Sequence, residues 1–251
     1  MREIEGLARV AERNQAAIAW GERSSDEDDG EALLPFSVHV VTTEAQLGAV
    51  QALRETAYGR HLPHLKASFG QPDPLDRGPG TTLFYAEDKL TGEVVGSARI
   101  QTNRHAPLQI ERSLELPAPW RGKRLAEITR LAVRPGYGGP VRLALVKASH
   151  LYCIAMQIGA VLAGSRQSLL RSYRMLGFSP LFEEGRQVPL VHAGGLPHHV
   201  LVRDMVTAEA DARARNSGDH EFVFRTYHPD IDLFAAVGER VRHGLRPATA
   251  H

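Results

Sequence analysis

The order of segments predicts a mixed α/β domain in which a mostly antiparallel central sheet is flanked by helices, with extensions at both ends. Two observations carry this. TLFYAED and EVVGSARIQT alternate in the strand manner and are joined by Lys89-Leu90-Thr91-Gly92, a β-hairpin with a Gly-containing turn. Strand and helix then alternate only after residue 125, whereas a doubly wound parallel sheet would alternate from the start.

Residues 1 to 20 place Ile4, Leu7, Ala8, Ala11 and Ile18 at roughly helical spacing, an amphipathic arm, and Ser24 to Gly30 reads as a solvated acidic linker. The main domain is therefore expected over 31–206. It opens with FSVHVVTT, a strand, and a helix beginning at Thr43-Glu44. Residues 59 to 80, with four prolines, suit a long loop, of the kind that often carries function. LAEITRLAV has apolar residues on both faces, so it is expected in the middle of the sheet. Simple alternation puts Glu127 on one side and Arg130 on the other. A turn, RPGYGG, then leads through Pro140 into the helix VRLALVKASHLYCIAMQIG, because proline is well placed in a first helical turn. IGAVLAGS is a strand, SRQSLLRSYRML a helix stopped by Gly177, FSPLF a strand, and HHVLVRDMV the last core strand. The extension over 207–251 starts with a polar helical run, passes through EFVFRTY and ends in a short amphipathic helix around Ile231 to Val241.

Composition limits what such a fold does. With 30 Lys+Arg against 29 Asp+Glu, any charge-driven binding must be local. Hydrophobic residues at 43% and charged residues at 24% are globular proportions. One cysteine, Cys153, allows neither an internal disulfide nor a cysteine zinc cage; set in an apolar helix, it reads as a small core residue. His192, His198 and His199 have no ligand spacing, and no metal site is expected. No apolar run reaches the roughly 20 residues of a membrane span, and the charged N-terminus lacks an apolar signal core. A cytoplasmic protein is expected; peripheral membrane contact stays compatible with the sequence.

Two groups of residues resemble a known family. The run from LAV through helix and strand to RSYRMLGF, with its Tyr-x-x-x-Gly-Phe ending, resembles the second half of the GNAT acyltransferase fold. Arg54-x-x-x-Tyr58, Asp73-x-x-Asp76, Arg99 and Glu127-Ile-Thr-Arg130 resemble in order the signatures of acyl-homoserine-lactone synthases and their relatives, the N-acyl amino acid synthases. Tyr58 stands where the signature has Phe, and residues 60 to 70 lack the tryptophan of the lactone synthases. The resemblance therefore points to the N-acyl amino acid branch: an N-acyltransferase moving a medium or long acyl chain onto the amine of an amino acid or similar small amine. A lactone synthase, an acetyl-CoA-dependent acetyltransferase and a non-catalytic carrier-docking module are the rival readings.

The family implies that the donor lies along Leu131, Val133, Arg134, Gly138, Gly139 and Arg142. The full Gln/Arg-x-x-Gly-x-Gly/Ala pyrophosphate loop is missing in both registers, so the single phosphate of an acyl-phosphopantetheine arm on an acyl carrier protein is favoured over acyl-CoA. No cofactor is expected to stay bound. Between Arg121 and Arg174, ten basic residues face one acidic residue, a charge suited to steering an acidic carrier protein; nucleic acid is disfavoured because interleaved aromatics are lacking.

The transfer chemistry assigns roles. An ammonium must lose a proton before it attacks, so a general base is needed, and Glu127 is the candidate, acting through water. A structural ion pair of Glu127 with Arg99 or Arg130 is the competing reading. The resemblance makes backbone N–H groups of Leu131 to Val133 the oxyanion donors, and Tyr173 is the candidate acid for the departing sulfur. An acceptor carboxylate calls for arginine forks, with Arg99 and Arg130 best placed and Arg54 behind them, while Asp73 and Asp76 order the loop or simply form Asp-Pro turns.

Overall fold

The protein is described here from a computed structural model, over residues 33–59 and 71–233. The expected N-terminal arm, the acidic linker, residues 60–70 of the long loop and the final helix beyond residue 233 lie outside the described residues.

Strand β1 (Phe36–Val40) leads into helix α1 (Glu44–Gly59), followed after the long loop by a 3-10 turn at Pro74–Arg77. The hairpin β2 (Thr81–Asp88) and β3 (Val94–Thr102) forms as predicted, and β4 (Leu125–Val133) sits in the centre of the sheet. Helix α2 (Gly138–Ala155) carries Pro140 in its first turn. Then come β5 (Ala160–Ser165), the short helix α3 (Leu170–Met175), β6 (Ser179–Pro180), β7 (Val188–Leu190), β8 (Leu196–Asp204), α4 (Ala208–Ala214) and a π-helical turn at Glu221–Arg225. The strand order is β1-β2-β3-β4-β5-β8-β6, with β7 pairing the outer part of β8. Every pairing is antiparallel except β4 with β5. This is the expected mixed sheet.

Two apolar layers cover it. Helix α2 packs Val141, Ala144, Leu145 and Ala148 onto one face, against Phe84, Val95, Ala98, Ile100, Ala126 and Ile128. The other face, around β5 and β8, is covered by Leu108, Ile110 and Leu116 from the segment before β4 and by Leu190 of β7. Gly96 lets α2 come close: a Cβ there would lie 2.4 Å from a Val141 methyl. Beyond β8 the chain returns to the other edge, where Ile231 bridges Val38 of β1 and Leu34 N–H donates to the Asp230 carboxylate at 2.7 Å. Lys147 of α2 holds that return by donating to the carbonyls of Phe222 and Thr226. Among the described residues no helix is long and apolar enough to cross a membrane.

Two expectations need correction. FSPLF contributes only a two-residue strand, and the SRQSLLRSYRML helix is broken into a 3-10 turn at Gln167–Leu169 and α3. More important, the simple alternation along β4 fails. Arg99 pairs with Thr129 but Ser97 pairs with Ala132, so three steps on β4 face two on β3. The extra residue is a β-bulge, and Arg130 takes φ 56°, a left-handed conformation that costs a non-glycine residue about 1–2 kcal/mol. Past the bulge the faces exchange: Leu131 and Val133 join Ile128 on the α2 core, and Arg130 turns to the side of Arg99 instead of lying opposite Glu127.

Candidate active site

The bulge coincides with a parting of strands. β4 pairs with β5 only from Leu125–Ala160 to Ile128–Ala163, then continues alone against β3 while β5 continues against β8. Residues 129–133 of β4 thus line one side of a divergence in the sheet, with α2 starting just beyond. Buried strands leave backbone groups unpaired at such a place, which is what a ligand backbone or a developing oxyanion requires.

On the face away from α2, a ladder of alternating charge crosses from α1 to β4. Arg54 Nη1 donates to Asp76 at 2.6 Å; Arg99 Nη1 donates to Asp76 at 3.0 Å and to Asp73 at 2.6 Å; Arg130 Nη2 donates to Asp73 at 3.3 Å. Arg99 Nε also donates to the Thr129 hydroxyl at 2.9 Å. Asp73 earns its turn as well, its carboxylate accepting the Leu75 N–H at 3.0 Å. Burial alone would push the Asp73 carboxyl up, but the Arg99 and Arg130 guanidinium groups hold it below its ordinary value. Burial lowers Arg54 despite Asp76 beside it. Three arginines and two aspartates thus form one connected ladder. Arg54 and Arg99 have side chains 3% exposed, and Arg130, at 29%, is the member that reaches outward.

Glu127 sits two residues before Thr129 on the same face and is 0% exposed. Its Oε2 accepts the Ile110 N–H at 3.0 Å, so the 3-10 turn at Gln109–Arg112 lies over it. Burial raises the carboxyl to about 7, against the opposing pull of that N–H and of Arg99. It makes no ion pair with Arg99 or Arg130. Oε1 has no hydrogen-bond partner among the described residues, and its nearest cationic-type neighbour is His192 Nε2 at 3.4 Å. Burial pushes His192 down to about 4, so at neutral pH this contact is not an ion pair.

The donor-side residues divide. Tyr58 donates from its hydroxyl to the Leu131 carbonyl at 3.0 Å, tying α1 to the bulge. Tyr173 packs edge-on against Phe178 at 5.3 Å, and burial, with Tyr58 nearby, raises its phenol to about 12; Arg142 acts in the opposite sense. Tyr58, Arg142 and Tyr173 therefore converge near the divergence. Gly138 (φ 39°) and Gly139 open α2 with nothing within 4 Å of where a Cβ would stand. Arg134 points elsewhere, bonded to Glu93 at 2.6 Å. The basic run from Arg121 to Arg174 is also less of a single face than its sequence suggests: Arg121, Arg130, Arg134 and Arg174 pair with acids from outside it, and Lys147 is buried.

Thr129 and His192 were not among the expected site residues. Thr129 was open to discovery from the period-2 pattern that relates it to Glu127. His192 is 65 positions from Glu127 and belongs to no local motif. Cys153 is fully buried, and its thiol is raised by burial to about 12. Among the described residues no group of three or more His, Cys, Asp or Glu is arranged to hold a metal ion.

Residues 49–200 match the family described as N-acyl amino acid synthase FeeM. Among solved structures, the chain is similar to FeeM, an N-acyl amino acid synthase from uncultured soil microbes, at 16% identity and TM-score 0.55, covering 70% of this chain and 94% of that one. It is also similar to BjaI, a CoA-dependent acyl-homoserine lactone synthase solved with SAM and isopentyl-CoA, at 17% identity and TM-score 0.50, covering 82% and 99%. TofI in its apo form matches at 19% identity and TM-score 0.50, covering 71% and 95%. At these identities the structures establish the GNAT-type acyltransferase fold. No curated protein sequence matches the chain.

Proposed function

Because this chain belongs to the N-acyl amino acid synthase FeeM family, and is thus an acyltransferase that acylates an amine, we propose that it moves a medium or long acyl chain from an acyl carrier protein, or less readily from CoA, onto the amine of an amino acid in the cytoplasm. The acyltransferase unit is residues 31–206, with 1–30 and 207–251 as extensions. One observation carries the reading: a buried glutamate raised to about 7 and a ladder of three arginines and two aspartates share one face of β4, where that strand leaves β5.

The thioester carbonyl lies in the divergence beside the backbone of Leu131 to Val133. The amine attacks directly, forming the C–N bond, and collapse of the tetrahedral intermediate breaks the C–S bond. Glu127, near half-ionised at neutral pH, takes the amine proton through water. The phenol of Tyr173, still protonated, supplies a proton to the thiolate. Arg130, backed by Arg99 and Arg54 and ordered by Asp73 and Asp76, takes the acceptor carboxylate. The Gly138-Gly139 turn at the start of α2, with no acid in its first turn, suits one donor phosphate, and Arg142 stands beside it. The buried thiol of Cys153 supports transfer without an acyl-enzyme.

The test is to supply purified protein with acyl-carrier protein or acyl-CoA and a mixture of amino acids, and to weigh the products by mass spectrometry. An N-acyl amino acid is expected, formed faster from the carrier protein. Donor hydrolysis alone, or acyl-homoserine lactone formed only with adenosylmethionine, contradicts the proposal.

A further inference from the structure

Glu127 is buried completely, yet only one of its two oxygens is accounted for. Oε2 is held by the Ile110 N–H, while Oε1 has no hydrogen-bond partner among the described residues and lies 3.4 Å from His192 Nε2. The ring is placed there by the connection between β7 and β8: the turn Val191–Ala193 is pinned when the Val191 N–H donates to the Ser113 hydroxyl at 2.9 Å. Nδ1 of His192 is likewise buried and without a hydrogen bond among the described residues. A buried carboxylate oxygen without a partner is costly, and a ring N–H on the Nε2 that faces it supplies the missing partner.

We infer that His192 is a positioning residue for Glu127, a neutral imidazole whose Nε2–H donates to Oε1 whenever the carboxylate is ionised and so sets the pH at which Glu127 becomes a base. This rests on the reading of Glu127 as general base. At 3.4 Å the two atoms are already within reach, and a turn of the ring that aims the N–H at Oε1 completes the bond. The ring must be neutral, and the surroundings favour that: burial first, then His198 from β8, Arg130 from β4 and Arg99 from β3, disfavour a positive charge on His192 against the opposing pull of the Gln109 backbone. Glu127 itself is faced by Arg99 and by Gln101, its register partner, from β3, and by Glu111 from the covering turn. The Gln109 backbone N–H also favours the ionised carboxylate, but no hydrogen bond reaches Oε1 among the described residues, and the His192 ring is the side chain set 3.4 Å from it. A hydrogen bond to a charged acceptor is stronger than one to a neutral acceptor, so the imidazole favours the ionised form.

The test reads the Glu127 carboxyl carbon by 13C NMR across pH 5–10, assigned by its loss in Glu127→Gln. In His192→Leu the midpoint is expected to move up by about one to two pH units, while His192→Gln, which keeps an N–H donor, stays within about half a unit of the parent. A midpoint unchanged or lowered in His192→Leu overturns the inference, as does an equal rise in both variants. Should the leucine variant fail to fold, 15N shifts of the parent's His192 ring decide: neutral with Nε2 protonated at pH 7 supports the assignment, and a cationic ring or a proton on Nδ1 alone overturns it. The titration needs no substrate. If it behaves as expected while turnover ignores Glu127→Gln, the functional reading fails and the pairing stands; if turnover collapses while the titration does not move, the reverse holds.

Discussion

At the scale of single residues, the chemistry of the site comes from burying groups that water would hold more comfortably. Glu127 has an unfolded value near 4.5 and a folded value of about 7, so between those limits the folded state keeps a proton that the unfolded state has lost. Its contribution to stability is full below pH 4.5 and is lost as pH rises through 7, a change of about 3 kcal/mol. Glu127→Gln does not titrate, so its stability relative to the parent should rise by about that amount between pH 4.5 and pH 8, measured by urea unfolding at both; an advantage that stays flat with pH contradicts the burial argument. Much of this site was readable beforehand. Arg54, Asp73, Asp76, Arg99, Glu127 and Arg130 were all singled out, and the structure joins five of them in one ladder. His192 was not, because its meaning lies in a contact across 65 positions that neither period nor spacing records.

Strand periodicity failed at one place, and that place is where the site is built. Alternation fixes a side chain's face only while a ladder stays regular, and the bulge opposite Ser97 and Arg99 inserts a residue that LAEITRLAV gives no sign of. The result is functional geometry: Arg130 swings onto the ladder and Leu131 comes under the Tyr58 hydroxyl. The hairpin, α1, α2 and β8 were legible because length and pattern agree in each. The short β6 and β7 were not, since two or three residues carry no period. Gly96 shows how closely these elements meet. In Gly96→Ala the added methyl runs into Val141, a stiff β-branched side chain at 0% exposure, and Leu145 at 3.1 Å. A loss of about 1–3 kcal/mol is expected in denaturant titration; an unchanged midpoint would mean that α2 sits further from the sheet.

For the whole molecule, the fold places two cores on opposite faces of one sheet and uses the central parting for chemistry. The return of residues 207–233 covers the exposed edge of β1 through the Val38–Ile231 bridge, which protects a strand that would otherwise invite pairing with another chain. Charge is organised at this scale too: a chain of net charge +1 gathers three arginines into the ladder and pairs Arg121, Arg134 and Arg174 of its basic run with acids outside it. In the proposed function all of this serves one act, removal of the acceptor's proton by Glu127. The pH dependence of kcat/KM for the parent and for Glu127→Gln, each checked for native folding, measures that act directly. The parent should gain activity as pH rises through about 7, and the glutamine variant should lose on the order of 10²–10⁴-fold together with that limb. A variant that keeps parental turnover, or an unaltered limb near 7, contradicts it.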